Sequence, residues 1–336
     1  MVVRVYLKQA WNLMKQNPLF STLYIVGTGI SIVMTMVIAI VYYVRLAPVY
    51  PETNRMRTLV VKSAKMTNDE STHSSNISYA MLKDWFYSLE SAEVSTGVSG
   101  TSYARVTNDK EEIPTYARYT DENFFRVFPL VFLEGKPFTE ADRRSGIHNV
   151  VLTDSYAQQL FGTTKGVVGK NFLMDYTNVK VVGVVKSGSF LTPDSYAQVY
   201  LPYSCRDGYD DERSHWALGG YRVYILMKES KSVTDVQDEV LELVRKFNVS
   251  DMGDGWKLDL VGQPELYWHS TFRLRNNVDV DWGRVIWMFV GIFMVLLFVP
   301  AFNLSGMISA RMERQLPDLG IRKAFGASRR RLLVQI

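Results

Sequence analysis

The sequence predicts an α+β domain that lies between two membrane-spanning helices. Three observations support this prediction: two uncharged apolar runs, a polar middle segment with strand-like and helix-like stretches, and basic clusters beside both runs. The chain has 336 residues and a mean hydropathy of −0.05, an average that conceals the two runs. A hydrophobic content of 47% excludes a disordered or collagen-like chain.

Charge is distributed unevenly along the chain. Residues 1–15 carry +3 and residues 311–331 carry +5, so the remainder sums to −4 within the total of +4. Basic residues beside apolar runs indicate a membrane, whereas a nucleic-acid-binding protein would spread them over a folded surface. We therefore expect no nucleic acid as a partner. The single cysteine, Cys205, excludes an intrachain disulfide.

The segment 1–17 has the pattern of an amphipathic helix on the inner membrane surface. Its polar stripe includes Arg4 and Lys8, and Pro18 marks the break into the first apolar run. The opposite stripe is apolar and consists of Val3, Leu7, Trp11 and Met14. An ordinary initial helix without a membrane partner is the alternative.

The two apolar runs, residues 19–44 and 285–310, each contain 26 residues without a charge, and about 20 are enough to cross a bilayer. They predict transmembrane helices over 18–45 and 282–310. A signal peptide is the alternative for the first, but its apolar part would span only roughly 7–15 residues. In the second helix, Pro300 and Asn303 indicate a face that contacts another helix, with a tolerated kink as the alternative.

Basic residues near the ends of the spans predict their orientation. Lys and Arg remain preferentially on the cytoplasmic side, so both flanks should be inside and residues 46–284 outside. Arg45, Arg55 and Arg57 oppose this assignment at the first span. The larger cluster after the second span decides it.

The middle segment has the mixed periodicity of an α+β domain. Apolar or alternating stretches predict strands at 58–63, 92–106, 115–119, 150–152, 179–185, 198–201, 221–227 and 257–261. Helical patterns occur at 79–89, 155–161 and 233–246. The Ser/Thr/Asn-rich stretch 66–78 is predicted to be a mobile loop.

Motifs for catalysis are not found. Residues 166–170 read GVVGK, which lacks the spacing of a phosphate-binding loop. Ser99 lies in GVSG but is not followed by the helix of a nucleophile elbow. The histidines have no metal-ligand spacing, and the acidic residues at 207–212 are predicted to form a solvated turn. We expect no catalytic, cofactor-binding or metal-binding residues in this chain.

The most motif-like segment follows the second span. Asp318 suits a helix start, Ile321 and Phe325 lie on one apolar face, and Gly326 suits a turn. The sequence predicts a short cytoplasmic helix within residues 311–330. Residues 331–336 then begin another apolar run, which we expect to be the start of a third transmembrane helix that is cut off.

This tail resembles the MacB/FtsX family of ABC transporter permeases, whose corresponding loop reads roughly R-x-x-E-I-G-I-R-K-A-L-G-A-S. The matching positions are Asn303, Asp318, Leu319, Gly320, Ile321, Arg322, Lys323, Ala324, Gly326, Ala327 and Ser328. Asp318, Pro317 and Phe325 depart from the usual residues. The middle segment also resembles the family's extracytoplasmic domain, for example at 135–138, 160–162 and 200–202.

The resemblance implies a permease subunit of the bacterial inner membrane with its large domain in the periplasm. Such a chain is not an enzyme; a separate cytoplasmic ATPase binds the ATP. The helix after the second span would contact that ATPase, which assigns coupling to Asp318, Leu319, Gly320, Ile321, Arg322, Lys323, Phe325 and Gly326. Further implied partners are a paired permease, as a homodimer or heterodimer, and a periplasmic adaptor.

The family resemblance also implies the mechanism and the domain division. ATP-driven closure would move the outer domain (mechanotransmission) to export or extract a peptide, lipoprotein or antibiotic. That domain, 46–281, would contain a Porter-like part, 47–120 and 206–281, and an inserted lobe, 121–205. A two-span membrane sensor for an extracellular ligand is the alternative, although only 26 residues follow Ala310. An anchored enzyme is a third possibility without a catalytic constellation.

Overall fold

The computed structural model describes residue 15 and residues 18–100, 102–107, 112–206, 217–250 and 255–325. The chain divides into two units. One contains the apolar helices, and the other is the central domain, Tyr43–Asp281. The predicted amphipathic helix, except Lys15, and the predicted start of a third span lie outside the described residues.

The first sheet of the central domain is antiparallel. Its strands are β1 (Thr58–Val61), β2 (Ala64–Thr67), β3 (Thr72–Ile77), β4 (Ala92–Ser99), β12 (Leu218–Gly219), β13 (Tyr221–Met227), β14 (Lys257–Asp259) and β15 (Glu265–Leu266). Strand β13 lies near the middle of the sheet, between β1 and β4. The apolar pattern of the sequence predicted β1 and β13 correctly. Every residue of β1 is buried.

Two helices cover this sheet, α2 (Tyr79–Asp84) and α6 (Val233–Val249). The Ser78 side chain caps α2, and Ser232 with Asp235 forms a capping box at the start of α6. The buried face of α6 consists of Val236, Val240, Val244 and Phe247. The helical periodicity predicted these four positions together with Leu243, which is only partly buried.

The second sheet consists of β5 (Ser102–Thr107), β6 (Glu112–Thr120), β7 (Phe132–Gly135), β8 (Asn149–Thr153), β9 (Asn171–Met174), β10 (Thr177–Val185) and β11 (Val199–Pro202). Six of these strands close into a ring, because β10 pairs with both β8 and β9. The ring runs β10–β8–β11–β6–β5–β9, and β7 adds to β10 outside it. We call this lobe the barrel.

Three short helices accompany the barrel: α3 (Phe124–Val127), α4 (Glu140–Arg144) and α5 (Asp154–Phe161). The Tyr156 side chain of α5 is fully buried, and its hydroxyl lies 2.5 Å from Thr115 Oγ1. A separate apolar core includes Phe124, Phe128 and Tyr200 together with Val60 and Tyr224 of the first sheet. The two sheets therefore share one core.

Two predictions for the middle segment are wrong. Residues 66–78 are not a loop, because Ala64–Thr67 and Thr72–Ile77 pair as a hairpin. The Asn68 side chain holds its turn by accepting hydrogen bonds from the backbone of Glu70 and Ser71. The predicted strand 92–106 is two strands, and the second of them belongs to the barrel.

The lobe boundary therefore differs from the predicted one. Strands β5 and β6 were expected in the part 47–120, yet both belong to the ring that continues to Pro202. The physical reason is pairing: β6 runs parallel to β11, which follows it by about 80 residues and completes its hydrogen bonds. The change of sheet occurs near Gly100.

The unit outside the central domain contains α1 (Pro18–Leu46) and α7 (Trp282–Ala324). Within the described residues, Ile25–Leu46 is long and apolar enough to cross a membrane, and Trp282–Phe298 is a shorter apolar stretch. The two helices contact each other, because the Tyr42 and Phe289 rings lie 4.9 Å apart.

The predicted separate helix starting at Asp318 is wrong as a local structure. The backbone is helical without interruption from Trp282 to Ala324, so the segments 282–310 and 311–324 form one helix. Residues 311–315 (RMERQ) all have high helix propensity, so the helix continues past Ala310. The residue that directly follows Ala310 is Arg311, whereas a helix that ended there would favour glycine at that position.

Candidate functional site

A buried charged junction lies where the first sheet, the barrel and the chain that follows α1 meet. We define it by five side chains: Glu52, Arg55, Lys62, Asp194 and Arg222. Glu52, Arg55 and Asp194 are each less than 5% exposed. Charged side chains are rarely buried unless they are paired, so their partners are the informative feature.

Glu52 connects three segments that are distant in sequence. Its carboxylate forms an ion pair with Arg55, three residues later. Its Oε1 atom also accepts hydrogen bonds from Ser195 Oγ at 2.7 Å and Tyr267 OH at 2.9 Å. The chain that leaves α1 is thereby bonded both to the barrel and to the first sheet.

Asp194 forms the second anionic centre of the junction. Its two oxygens accept from Lys62 Nζ at 2.6 Å and from Arg222 Nη1 at 2.9 Å. Burial raises the pKa of Asp194, but the charges of Lys62 and Arg222 outweigh burial and hold the pKa well below its ordinary value. The carboxylate is therefore ionised at neutral pH, and both cations belong to the first sheet.

Arg118 fixes the loop that carries Asp194. This fully buried guanidinium donates to Pro193 O at 2.7 Å, Tyr196 O at 3.1 Å and Ser99 O at 3.1 Å. Carbonyl oxygens of two separate segments thus accept hydrogen bonds from one buried charge. Hydrogen bonds to charged groups contribute about 1.5–3 kcal/mol each, so the loop conformation is strongly specified.

Two buried arginines lie near the two ends of the central-domain sequence, each in the stretch of chain next to an apolar helix. At the first, Arg55 pairs with Glu52 and donates from Nη1 to Val44 O at 3.0 Å. At the second, Arg273 pairs with Glu265 and donates to Val261 O at 2.9 Å and Val278 O at 2.6 Å. We call these the Arg55 clamp and the Arg273 clamp.

The Arg273 clamp holds a strained segment. Val261 has a φ of 55°, which is unfavourable for a β-branched residue, and Gly262 follows with a φ of 69°. A methyl group added to Gly262 would lie 2.2 Å from Asp279 Oδ1. Glycine is required at this position both by its backbone conformation and by the close approach of Asp279.

A further buried carboxylate, Asp121, lies between the two sheets. It accepts hydrogen bonds from Tyr87 OH at 2.5 Å, Thr96 Oγ1 at 2.6 Å and Gly97 N at 2.9 Å. Burial raises the pKa of Asp121 to about 6, although these hydrogen bonds lower it. Asp121 joins β6 of the barrel to β4 of the first sheet.

These arrangements connect segments of the central domain that are distant in sequence. The junction carboxylates are occupied by cations and hydroxyl donors from the protein itself. Among the described residues, no group of three or more His, Cys, Asp or Glu side chains is placed to hold a metal ion. Buried ion pairs with several further hydrogen bonds fix the relative positions of the segments that they join.

The junction was missed by sequence reasoning, although a signal was present. Lys62 directly follows the apolar strand TLVV, and Arg222 interrupts the otherwise apolar and aromatic strand YRVYILM. A charge inside a buried strand requires a partner. The sequence gives no indication of which residue that partner is.

The structure describes only part of the predicted coupling segment. Ile321 and Phe325 lie one turn apart, with a hydrogen bond from Phe325 N to Ile321 O of 3.1 Å, and their side chains are 56% and 88% exposed. Gly320 is also exposed. The helical backbone includes Asp318, Leu319, Arg322 and Lys323, but their side chains, like those of Pro300 and Asn303, lie outside the described residues, as does all of Gly326.

The central domain explains two of the arginines that opposed the predicted orientation. Arg55 is buried in its clamp, and Arg57 pairs with Glu93 and Glu229. Neither is a free charge beside the membrane. Only Arg45, which is exposed, retains that role among these three residues.

Comparison with known proteins adds the family. A model described as "MacB-like periplasmic core domain" matches residues 20–243. The chain belongs to this family. The match covers α1, the barrel and most of the first sheet, and it confirms the resemblance seen in the sequence.

Relatives of the MacB-like chain are distant. The pyoverdine export ATP-binding/permease protein PvdT of Pseudomonas fluorescens is 23% identical over 224 residues, 66% of this chain and 32% of the relative. The macrolide export ATP-binding/permease protein MacB 1 of Yersinia pestis strain Antiqua is 20% identical over 331 residues, 96% of this chain and 48% of the relative. The chain thus spans between a third and a half of these curated relatives.

Among solved structures, the periplasmic region of MacB from Actinobacillus actinomycetemcomitans is similar to this chain. It has 16% sequence identity and a TM-score of 0.42, and the alignment covers 59% of this chain and 88% of that one.

Proposed function

We propose that this chain is a permease subunit of an ABC exporter, in which a separate cytoplasmic ATPase drives motion of the central domain. The observation that carries this proposal is the pair of clamps. A buried Arg–Glu pair lies near each end of the central-domain sequence. These pairs would keep the first and last segments of the domain rigid, so that a displacement of α1 or α7 would reach the domain with little loss in flexible linkers.

The proposal includes two membrane spans and a periplasmic central domain in the bacterial inner membrane. The contact between Tyr42 and Phe289 supports a helical hairpin, and the basic cluster at 311–331 supports an inside location for the end of α7. The lobes would correspond to the family's Porter-like part and inserted lobe. A paired permease and a periplasmic adaptor complete the proposed assembly.

Reporter fusions test this topology. An alkaline phosphatase fused after Lys110 should be active, because the enzyme requires the periplasm, and one fused after Ser328 should be inactive. A cytoplasmic reporter at the same positions should give the opposite signals. Equal signals at both positions would contradict the two-span arrangement.

Coupling to the ATPase is proposed to involve the end of α7. The exposed pair Ile321 and Phe325 presents an apolar surface of one helical turn, which suits a groove on a soluble partner. Asp318, Arg322 and Lys323 would orient the contact through charge. ATP would be bound by the partner, and the cargo would be a peptide, lipoprotein or antibiotic.

Phe325→Glu tests this contact without changing the basic residues that determine topology. The wild-type chain should co-purify with an ABC ATPase from native membranes, and the variant should retain much less of it, because truncating a buried aromatic anchor costs about 2 kcal/mol or more. Val249→Glu is the matched control, since Val249 is similarly exposed at 83% but lies in the central domain. Undiminished association in Phe325→Glu would exclude this contact.

A further inference from the structure

The central domain begins where the first apolar run ends. The uncharged run ends at Val44 and α1 ends at Leu46. The Val44 carbonyl already accepts a hydrogen bond from Arg55 of the folded domain at 3.0 Å. No spacer separates the run from the domain, so residues next to this segment lie close to the level of the lipid headgroups when α1 spans the bilayer.

Val131 and Phe190 are exposed apolar residues in two segments that contact the chain following α1. Tyr50 OH donates to Lys186 O at 2.7 Å and accepts from the Val131 N–H at 3.2 Å. Phe190 follows Lys186 in the same loop, whose Gly188 would place an added methyl group 3.3 Å from Pro51. Phe190 is 74% exposed and Val131 is 49% exposed.

A third exposed apolar side chain follows a residue that contacts the same segment, and it comes from the approach to α7. Thr271 Oγ1 donates to Arg45 O at 3.5 Å. Leu274 follows three residues later and is 73% exposed, although the intervening Arg273 is buried in its clamp. We call Val131, Phe190 and Leu274 the apolar rim.

Single exposed apolar residues are ordinary on protein surfaces. The apolar rim differs because its three members come from separate segments of the chain. Each member either contacts residues 45–51 through its own backbone or closely follows a residue that contacts them. Pro51 lies five positions after Leu46, so the extended chain between them covers at most about 18 Å. Exposed Lys186 and Arg45 lie beside the rim and suit anionic headgroups.

We propose that the apolar rim inserts into the headgroup region of the outer leaflet, so that the base of the central domain rests on the bilayer. The partner is the lipid surface. This inference depends on the proposed span of α1, and it adds a contact that would restrain the domain from tilting about its two connections.

Depth-dependent quenching in the full chain tests the inference. In a Cys205→Ala background, Val131→Cys, Phe190→Cys or Leu274→Cys is labelled with an environment-sensitive fluorophore and placed in nanodiscs. Because interfacial groups lie about 5–10 Å into the headgroup boundary, a nitroxide at a shallow acyl position should lower emission at least about twofold. Each labelled variant is compared with the same sample in nitroxide-free lipid.

Tyr176→Cys is the matched control for Phe190→Cys. Tyr176 is an aromatic residue that is 84% exposed and directly precedes β10. Lys186, which begins the loop that contains Phe190, directly follows β10 at its other end. The nine residues of β10 separate the two loops by roughly 30 Å along the strand. Emission from the Tyr176 position should be unchanged by the nitroxide.

The outcomes separate this inference from the proposed function. Ile32→Cys, in the apolar run of α1, should be quenched by a deep nitroxide if α1 spans the bilayer. If the label at Ile32 is quenched but the rim labels, like the label at Tyr176, are not, the rim contact is overturned and the span of α1 is not. Rim labels that are blue-shifted but unquenched would also overturn the rim contact, because a protein surface would then cover them. Absence of quenching at Ile32 would contradict the span itself.

Discussion

Lys62 Nζ lies 2.6 Å from Asp194 Oδ2, and this ion pair joins the two sheets although its residues are 132 positions apart. Lys62 follows β1 of the first sheet, and Asp194 lies in the loop between β10 and β11 of the barrel. Arg222 of β13 donates to the other oxygen of Asp194. One carboxylate therefore holds two cations of the opposite sheet.

We predict that Asp194→Ala strongly destabilises the central domain. The substitution leaves Lys62 and Arg222 buried without their carboxylate, and breaking such a pair costs about 3–5 kcal/mol. For a domain of this size, the melting temperature should fall by on the order of 10 °C. Thermal unfolding of the full chain in detergent, followed by near-ultraviolet circular dichroism, measures the change.

The control for Asp194→Ala is Glu242→Ala. Glu242 pairs with Lys246 at 2.9 Å on the exposed face of α6, and exposed helix pairs contribute little to stability because water and salt screen them. Its melting temperature should stay close to that of the wild type. Similar losses in both variants would show that the junction contributes no more than a surface pair.

Asp121 predicts a pH dependence of stability. Its pKa is raised to about 6 in the folded state, above the ordinary value of 3.8. Its contribution is therefore fully present below pH 3.8 and is lost as the pH rises to about 6. Relative to Asp121→Asn, the unfolding free energy of the wild type should fall by about 3 kcal/mol across this window.

Chemical denaturation at several pH values between 4 and 7 measures this dependence. The difference between the wild type and Asp121→Asn should change with pH mainly between 4 and 6, because other groups titrate equally in both proteins. Two parallel stability curves would show that Asp121 is ionised throughout this window.

Local sequence patterns predicted the elements whose stability is local. Strand β13 and helix α6 have apolar residues at the spacing of their own buried face, so their positions followed from periodicity alone. Strand β3 was missed because four of its six residues are exposed and polar, so it has no apolar face to detect. Its hydrogen bonds come from β2, β12 and β13.

The candidate site could not be assembled from the sequence for a related reason. Glu52 and Tyr267 are 215 positions apart, and their hydrogen bond depends on how the two ends of the central domain meet. Sequence spacing contains no information about that meeting. The family motif in the tail was detected because its residues are contiguous.

We predict that residues 50–280 fold without the apolar helices. Both sheets contribute to one shared core, and Glu52, Asp194 and their partners all lie within this range. The fragment should be soluble and should melt cooperatively. Persistent aggregation with no thermal transition would indicate that the helices are needed for folding.

The two clamps are equivalent in chemistry but belong to opposite ends of the central-domain sequence. Each consists of a buried arginine, a glutamate and a backbone carbonyl next to an apolar helix: Val44 for Arg55, and Val278 for Arg273. If these clamps transmit motion, each connection must be rigid on its own. That requirement can be tested one connection at a time.

We predict that Arg55→Met loosens residues 47–57 and that Arg273→Met loosens residues 261–279, each without affecting the other. Loss of a buried pair costs about 3–5 kcal/mol, and each 1.4 kcal/mol corresponds to a tenfold change in an equilibrium constant. Amide hydrogen exchange in the released segment should therefore accelerate by about 100-fold or more.

Arg57→Met is the control. Arg57 pairs with exposed Glu229 and half-exposed Glu93, so this substitution should change the exchange rates only slightly. Mass spectrometry of the full chain in nanodiscs resolves the two released segments and the barrel. Faster exchange across the barrel in either clamp variant would indicate global destabilisation instead, whereas a change confined to the released segment would show that each clamp independently keeps its own crossing rigid.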